Sequence, residues 1–231
     1  LTENGSKEDY LIHALAFGLA VPHLKRTHRH IALLDWLIMC LNGTRTLQAN
    51  DTPYVHLGTF TLFNDYRHLE GLFLHSVGDE FGGHLRDYSK AIEYNQESLA
   101  IFQECNDRQF QGSTINAIAH WEFEIDPNNP DKIEDLLNQS EEVADIFGRF
   151  GDQSNKLNMR GLVFIQRKQP EEALPLFEQA LKIAQGRGNQ PAIATITNNI
   201  GLAWDITGDK KKALEYYLQA KKLYEAIYDK S

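Results

Sequence analysis

The sequence predicts an all-α fold, an α-solenoid of stacked antiparallel helical hairpins. Apolar residues recur at helical spacing through most of the 231 residues, and one apolar pattern returns at a nearly constant interval. Each interval is long enough for two helices and a turn. In such a stack each hairpin contacts only its neighbours, so function becomes a question about surface residues.

Residues 1–64 are predicted to form a divergent N-terminal hairpin and its connection. Helical apolar spacing runs from Glu8 to Lys25 and again from His28 to Leu41. We expect helix also between Asn42 and Phe63. The alternative there is an insertion, because Tyr54 to Phe63 is rich in β-branched and aromatic residues.

Four later segments share small, aliphatic and aromatic residues at equivalent places, and they follow one another after 42, 40 and 40 residues. They begin at Lys90, Lys132, Glu172 and Lys212. From Ala173 to Ala184 the apolar residues follow the i, i+3, i+4, i+7 rule of one buried helix face. Pro130 and Pro170 stand near two of the helix starts, where a missing N–H costs nothing. The segments therefore predict four amphipathic helices.

A second series of helices precedes the first at the same period, with a small residue at Gly78, Ala119, Gly161 and Gly201. Glycine inside a helix costs about 1 kcal/mol relative to alanine. The glycines at 161 and 201 therefore predict that a neighbouring helix packs too closely for a side chain. The repeating unit is a helix pair, and residues 65–231 are predicted to hold four repeats: about 65–105, 107–148, 152–187 and 190–228.

Together the two series resemble the tetratricopeptide repeat (TPR), over roughly Asp65 to Tyr228. The last unit carries the pattern through Ile200-Gly201, Trp204, Gly208, Ala213, Tyr217 and Ala220, and the preceding unit through Gly161, Phe164, Ala173, Phe177 and Ala180. The period of 40 to 42 residues exceeds the usual 34 and is similar to that of kinesin light chains and of the sensor regions of bacterial signal-transduction ATPases. The resemblance implies a right-handed superhelix that binds a protein or peptide partner in its concave groove.

Fixed places on the first helix of each TPR unit line that groove. Carried over to this sequence, they are His75, Asn116, His120, Phe123, Asn158, Leu162, Gln166, Asn198, Leu202 and Asp205. Three asparagines share one place, and an amide with donors and an acceptor can grip the backbone of an extended peptide. The alternative is that these asparagines only bridge helices or face water. The carboxylate clamp of some TPR proteins is not expected, because Asn, Leu or His stands where it needs Lys and Arg.

Composition and motifs argue against other functions. The 32 acidic residues against 23 basic ones disfavour nucleic acid as a partner, and the apolar stretches are too short to span a membrane. Neither a GxxxxGK[ST] loop nor an HExxH motif occurs, and Cys40 and Cys105 sit in apolar helical patterns. We therefore expect no cofactor, no metal site and no enzymatic activity, in a cytoplasmic protein.

The chain begins at Leu1, so we expect it to be part of a longer protein. The resemblance implies the sensor or scaffold region of a bacterial signalling protein. The alternative is a regulatory segment with intramolecular contacts to an ATPase-switch or protease domain outside this chain. An uncovered terminal helix would also permit a homodimer, against which core packing is the alternative for the aromatic residues Trp204, Tyr216, Tyr217, Tyr224 and Tyr228.

Overall fold

The computed structural model describes residues 30–49, 56–57, 60–61, 66–144 and 153–228. In this part of the chain the helices are α1 His30–Ala49, α2 Tyr66–Glu80, α3 Tyr88–Glu104, α4 Arg108–Ile125, α5 Pro130–Ala144, α6 Gln153–Gln166, α7 Pro170–Gly186, α8 Gln190–Thr207 and α9 Lys210–Tyr228. The predicted all-α class is confirmed. The chain forms two compact units, residues 1–121 and 122–231, and the bounds predicted for the repeats stay a prediction.

The N-terminal region departs from the expectation of continuous helix. After α1, two short strands, β1 His56–Leu57 and β2 Phe60–Thr61, pair in antiparallel register. The expectation of helix throughout 42–63 is therefore wrong for these residues, because β-branched and aromatic side chains favour extended backbone. The helix predicted from Glu8 to Lys25 lies outside the described residues.

Side-chain caps mark the starts of the later helices. Five carboxylate or amide oxygens accept a hydrogen bond from the backbone N–H three residues further on, those of Asp87, Asp107, Asn129, Asn189 and Asp209. Each such cap contributes about 1 kcal/mol. Two helices begin at the predicted prolines: α5 at Pro130 and α7 at Pro170.

A buried carboxylate links three helices of the first unit. Glu70 on α2 is 3% exposed, and it accepts hydrogen bonds from Arg45 on α1 at 2.6 Å and from Arg67 at 2.8 Å. The two guanidinium groups also bond to Glu97 and Glu104 on α3. Because a buried carboxylate is costly unless it is paired, this network ties α1, α2 and α3 together beside their apolar core.

Each hairpin of the second unit is closed by an aromatic ring against a glycine. A Cβ atom added at Gly161 on α6 would collide with the ring of Phe177 on α7, which is fully buried. A Cβ atom at Gly201 on α8 would lie 2.8 Å from Cδ1 of Tyr217 on α9. The predicted close approach of a second helix at both glycines is thereby confirmed.

We expect Gly161→Ala to lower the free energy of unfolding by about 1 to 3 kcal/mol, because the added methyl group overpacks the contact with Phe177. The matched control is Gly186→Ala at the end of α7, where a Cβ meets no atom within 4 Å. This control should be neutral or slightly stabilising. Denaturant unfolding of both variants checks the difference, and equal effects would contradict the packing described here.

Candidate functional site

The first helices of the two hairpins in the second unit, α6 and α8, are joined by one amide pair. Nδ2 of Asn199 donates a hydrogen bond to Oδ1 of Asn158 over 2.8 Å. The side chains on the outward side of these helices are all exposed or half-buried: Asn155, Asn158, Leu162 and Gln166 on α6, and Thr195, Asn198, Leu202 and Asp205 on α8. The first three of each set occupy equivalent places 40 residues apart. We call this surface the α6–α8 face.

The three asparagines predicted at one equivalent place have different environments. Asn198 is exposed, and Asn158 is half-buried and bonded to Asn199. Asn116, on α4 in the first unit, is only 6% exposed, and its Oδ1 atom has no hydrogen-bond partner in the described part of the chain. The amides accessible to a ligand are therefore those of the second unit.

The remaining predicted residues of the second unit supply apolar and polar area. Leu162 and Leu202 are half-buried and pack against the core shared by α6, α7 and α8. Gln166 is half-buried, and so is Phe123 on α4. Asp205 forms an ion pair of 2.8 Å with Lys210. The α6–α8 face therefore offers four amides and two leucines, with an ion pair at one end.

The two predicted histidines lie in the first unit and already have partners. Nδ1 of His75 is 2.8 Å from Oδ1 of Asn95 and 3.4 Å from Oγ1 of Thr114. The ring of His120 packs against that of Trp121, with 4.5 Å between their centroids. Both histidines are half-buried, and His75 links its helix to two others.

The cations near the α6–α8 face are paired with acidic residues of α5. Arg160 makes two hydrogen bonds to the carboxylate of Glu141, at 2.7 and 2.9 Å, and Arg167 bonds to Asp131 and Glu134. Near the C-terminal end of α8, the carboxylate of Asp205 pairs with Lys210. The eight side chains that define the face are four amides, two leucines, one hydroxyl and one carboxylate, and none of them is a cation.

Sequence reasoning missed Asn155 and Thr195 on the face, and it missed the buried partner in the amide pair, Asn199. Asn199 is 7% exposed and follows Asn198, which faces outward. One repeat earlier the equivalent residue is Met159, which is 3% exposed. The available signal was this polar residue at a place where the neighbouring repeat has an apolar one.

The last helix leaves an apolar strip uncovered. Leu214 and Leu218 on α9 are 57% and 50% exposed. They are four residues apart and therefore lie on one side of the helix. The homodimer contact through this helix stays a prediction, to be checked by the light-scattering mass at high concentration.

The two cysteines form no disulfide bond and lie in apolar surroundings. Cys40 is 8% exposed, and burial raises the pKa of its thiol to about 11. Cys105 is half-buried beside the same core. Among the described residues no three His, Cys, Asp or Glu side chains are grouped as a metal ion would need, and no helix there is long and apolar enough to cross a membrane.

We expect Cys40 to resist alkylation in the native protein at pH 8, because its pKa of about 11 keeps the thiol protonated and the core shields it. The measurement is the iodoacetamide reaction of a Cys105→Ser variant, followed by mass spectrometry. Denaturant should raise the rate at least about tenfold by exposing an ordinary thiol. Equal native and denatured rates would contradict the burial of Cys40.

Comparison with known proteins agrees with the helical hairpins of the second unit. The sequence profile of the tetratricopeptide repeat family matches residues 152–226, the two hairpins of the second unit. A comparison with curated proteins finds no match.

Solved structures share the fold at low identity. A kinesin light chain-like protein from Podosopora anserina, with nearly identical TPR-like repeats, is 14% identical over 90% of this chain and 92% of its own, with a TM-score of 0.54. A Rap protein complexed with Competence and Sporulation Factor is 14% identical, with a TM-score of 0.70 over 95% of this chain. Aspartyl phosphate phosphatase F from Bacillus subtilis is 15% identical, with a TM-score of 0.61 over 87% of this chain.

The chain spans 56% of that Rap protein and 50% of phosphatase F. Identities this low show a common fold and no more. Residues 152–226 match the tetratricopeptide repeat family, and the described helices have the fold class of TPR-like solenoids.

Proposed function

We propose that this chain is a protein-interaction module whose second unit binds an extended peptide segment of a partner protein along the α6–α8 face. The observation that carries the proposal is the pairing of accessible amides with leucines at equivalent places of two adjacent helices, Asn158 with Leu162 and Asn198 with Leu202. Amides can bond to the backbone of any peptide, while the leucines favour apolar side chains beside it.

The repeat spacing fits an extended ligand. Packed helices lie about 8 to 10 Å apart, and an extended chain advances about 3.3 Å per residue. An amide on each first helix can therefore meet about every third residue of a peptide that crosses both helices. Side chains of an extended peptide alternate in direction, so those that point toward the protein would reach the leucine pair.

The electrostatics favour a ligand segment without concentrated charge. The nearby guanidinium groups of Arg160 and Arg167 are bonded to acidic residues of α5, and Asp205 is paired with Lys210. A phosphorylated or strongly acidic peptide would find no unpaired cation among the side chains that define the face. The Rap protein with a similar fold was solved with a bound factor, which supports a binding role for this kind of scaffold.

We expect Asn158→Ala and Asn198→Ala each to weaken peptide binding about threefold to tenfold, because each removes one net hydrogen bond of about 0.5 to 1.5 kcal/mol. The probe is the tightest binder from a random library of twelve-residue peptides with acetylated N-termini and amidated C-termini. Dissociation constants are measured by isothermal titration calorimetry.

The matched control for these variants is Gln179→Ala, which removes an exposed amide of α7 outside the α6–α8 face. It should leave affinity unchanged. The proposal fails if the library contains no binder, or if its tightest binder keeps full affinity for both asparagine variants.

The setting of this module is a separate proposal. We place it in the sensor or scaffold region of a larger bacterial signalling protein on the strength of its long-period repeat pattern. Peptide binding by the isolated chain would favour this setting over a segment that contacts only other domains of its own protein.

A further inference from the structure

The amide pair between α6 and α8 has a direction. Asn199 is the donor and Oδ1 of Asn158 the acceptor. This oxygen is thus turned toward the protein side, and the NH₂ group of Asn158 has no acceptor within the described part of the chain. Since Asn158 is half-buried on the α6–α8 face, this NH₂ group is the part of the amide left for a ligand.

Asn199 is an unusual residue for its position. It is 7% exposed, and the equivalent Met159 of the preceding repeat fills the same kind of buried place with an apolar side chain. Burying an amide costs free energy unless it is hydrogen-bonded, whereas methionine would avoid that cost. The bond that compensates Asn199 is made to a residue of the proposed ligand face, not to the backbone of its own helix.

We infer that Asn199 is a positioning residue for ligand recognition: it holds the Asn158 amide with its NH₂ group outward, so that this site accepts a backbone carbonyl of an extended peptide. An unheld asparagine side chain can rotate its amide by half a turn and present either oxygen or nitrogen. The bond from Asn199 opposes this rotation, because turning the Asn158 amide alone would bring its NH₂ group against that of Asn199. This role exists only if the α6–α8 face binds a peptide, so the inference rests on the proposed function.

Two amides of the α6–α8 face, those of Asn158 and Asn198, differ in which ligand groups they can bind. Asn198, which is exposed and has no equivalent neighbour holding it in the described structure, can offer donor and acceptor alike. Asn158 is held with its donors toward the ligand and its oxygen toward Asn199. A ligand must therefore bring a carbonyl, or another acceptor, to α6, while at α8 either backbone group will serve.

Substitution of Asn199 with aspartate would reverse the direction of its hydrogen bond to Asn158. In Asn199→Asp the introduced carboxylate can only accept, so Asn158 would turn its NH₂ group inward and its oxygen toward the ligand. That oxygen would face the peptide carbonyl, acceptor against acceptor. We expect affinity for the blocked library peptide to fall at least tenfold at pH 7.5. Asn199→Leu merely releases the amide, and a loss of about threefold is expected.

Two readouts separate this role from a general structural one. In an Asn158→Ala background, neither change at position 199 should alter affinity by more than about twofold, since coupled residues lose their separate effects. Affinity of the Asn199→Asp variant should also recover as the pH is lowered, because a protonated carboxyl can again donate to Oδ1 of Asn158. The wild-type protein should show no such recovery.

Thermal unfolding of every variant accompanies the titrations. If Asn199→Asp does not fold, the test uses the affinities of two other variants: Asn199→Leu, and Asn199→Leu combined with Asn158→Ala. The inference is overturned if Asn199→Asp binds like wild type, or if changes at position 199 weaken binding equally when Asn158 is absent. The proposed function fails separately, and that failure is recognised when no peptide binds or when Asn158→Ala and Asn198→Ala both keep full affinity.

Discussion

The contact of an aromatic ring with a glycine on the facing helix is the constraint on which the second unit depends. Phe177 occupies the space that a side chain at Gly161 would need, and Tyr217 does the same at Gly201. The rings fix the approach of the second helices, and the side chains beside the glycines, among them Asn158 and Leu162, stay half-buried or exposed. The positions of the amides on the α6–α8 face follow from this packing.

The same constraint explains why much of the architecture could be predicted from the amino-acid sequence. A glycine that costs a helix about 1 kcal/mol is retained where close packing requires it, and at Gly161 and Gly201 it returns with the period of the fold. Proline at the start of α5 and of α7 is an equally local signal. Local rules of this kind act within one helix or between neighbours, and one sequence displays them directly.

The site was less predictable, because its properties depend on partners distant in the chain. Asn116, Asn158 and Asn198 look equivalent in the sequence, yet burial removes the first from solvent, and Asn199, 41 residues further along the chain, engages the second. His75 likewise has its partner on another helix, at Asn95. Periodicity assigns a residue to a helix face but does not reveal which atom a neighbouring helix will occupy. The strands at 56–61 were mispredicted for a different reason, since a short apolar stretch carries too few residues for its period to be recognised.

The side-chain caps at the helix starts bear on how the chain folds during its synthesis. Each of the five capping residues accepts a hydrogen bond from an N–H only three positions away. The start of each of these helices is therefore encoded within a single turn. Helical pairs joined by short loops make mostly short-range contacts, which speeds folding. Each hairpin can therefore acquire its shape while the next is still being synthesised, and exposed apolar surface is covered in the order of translation.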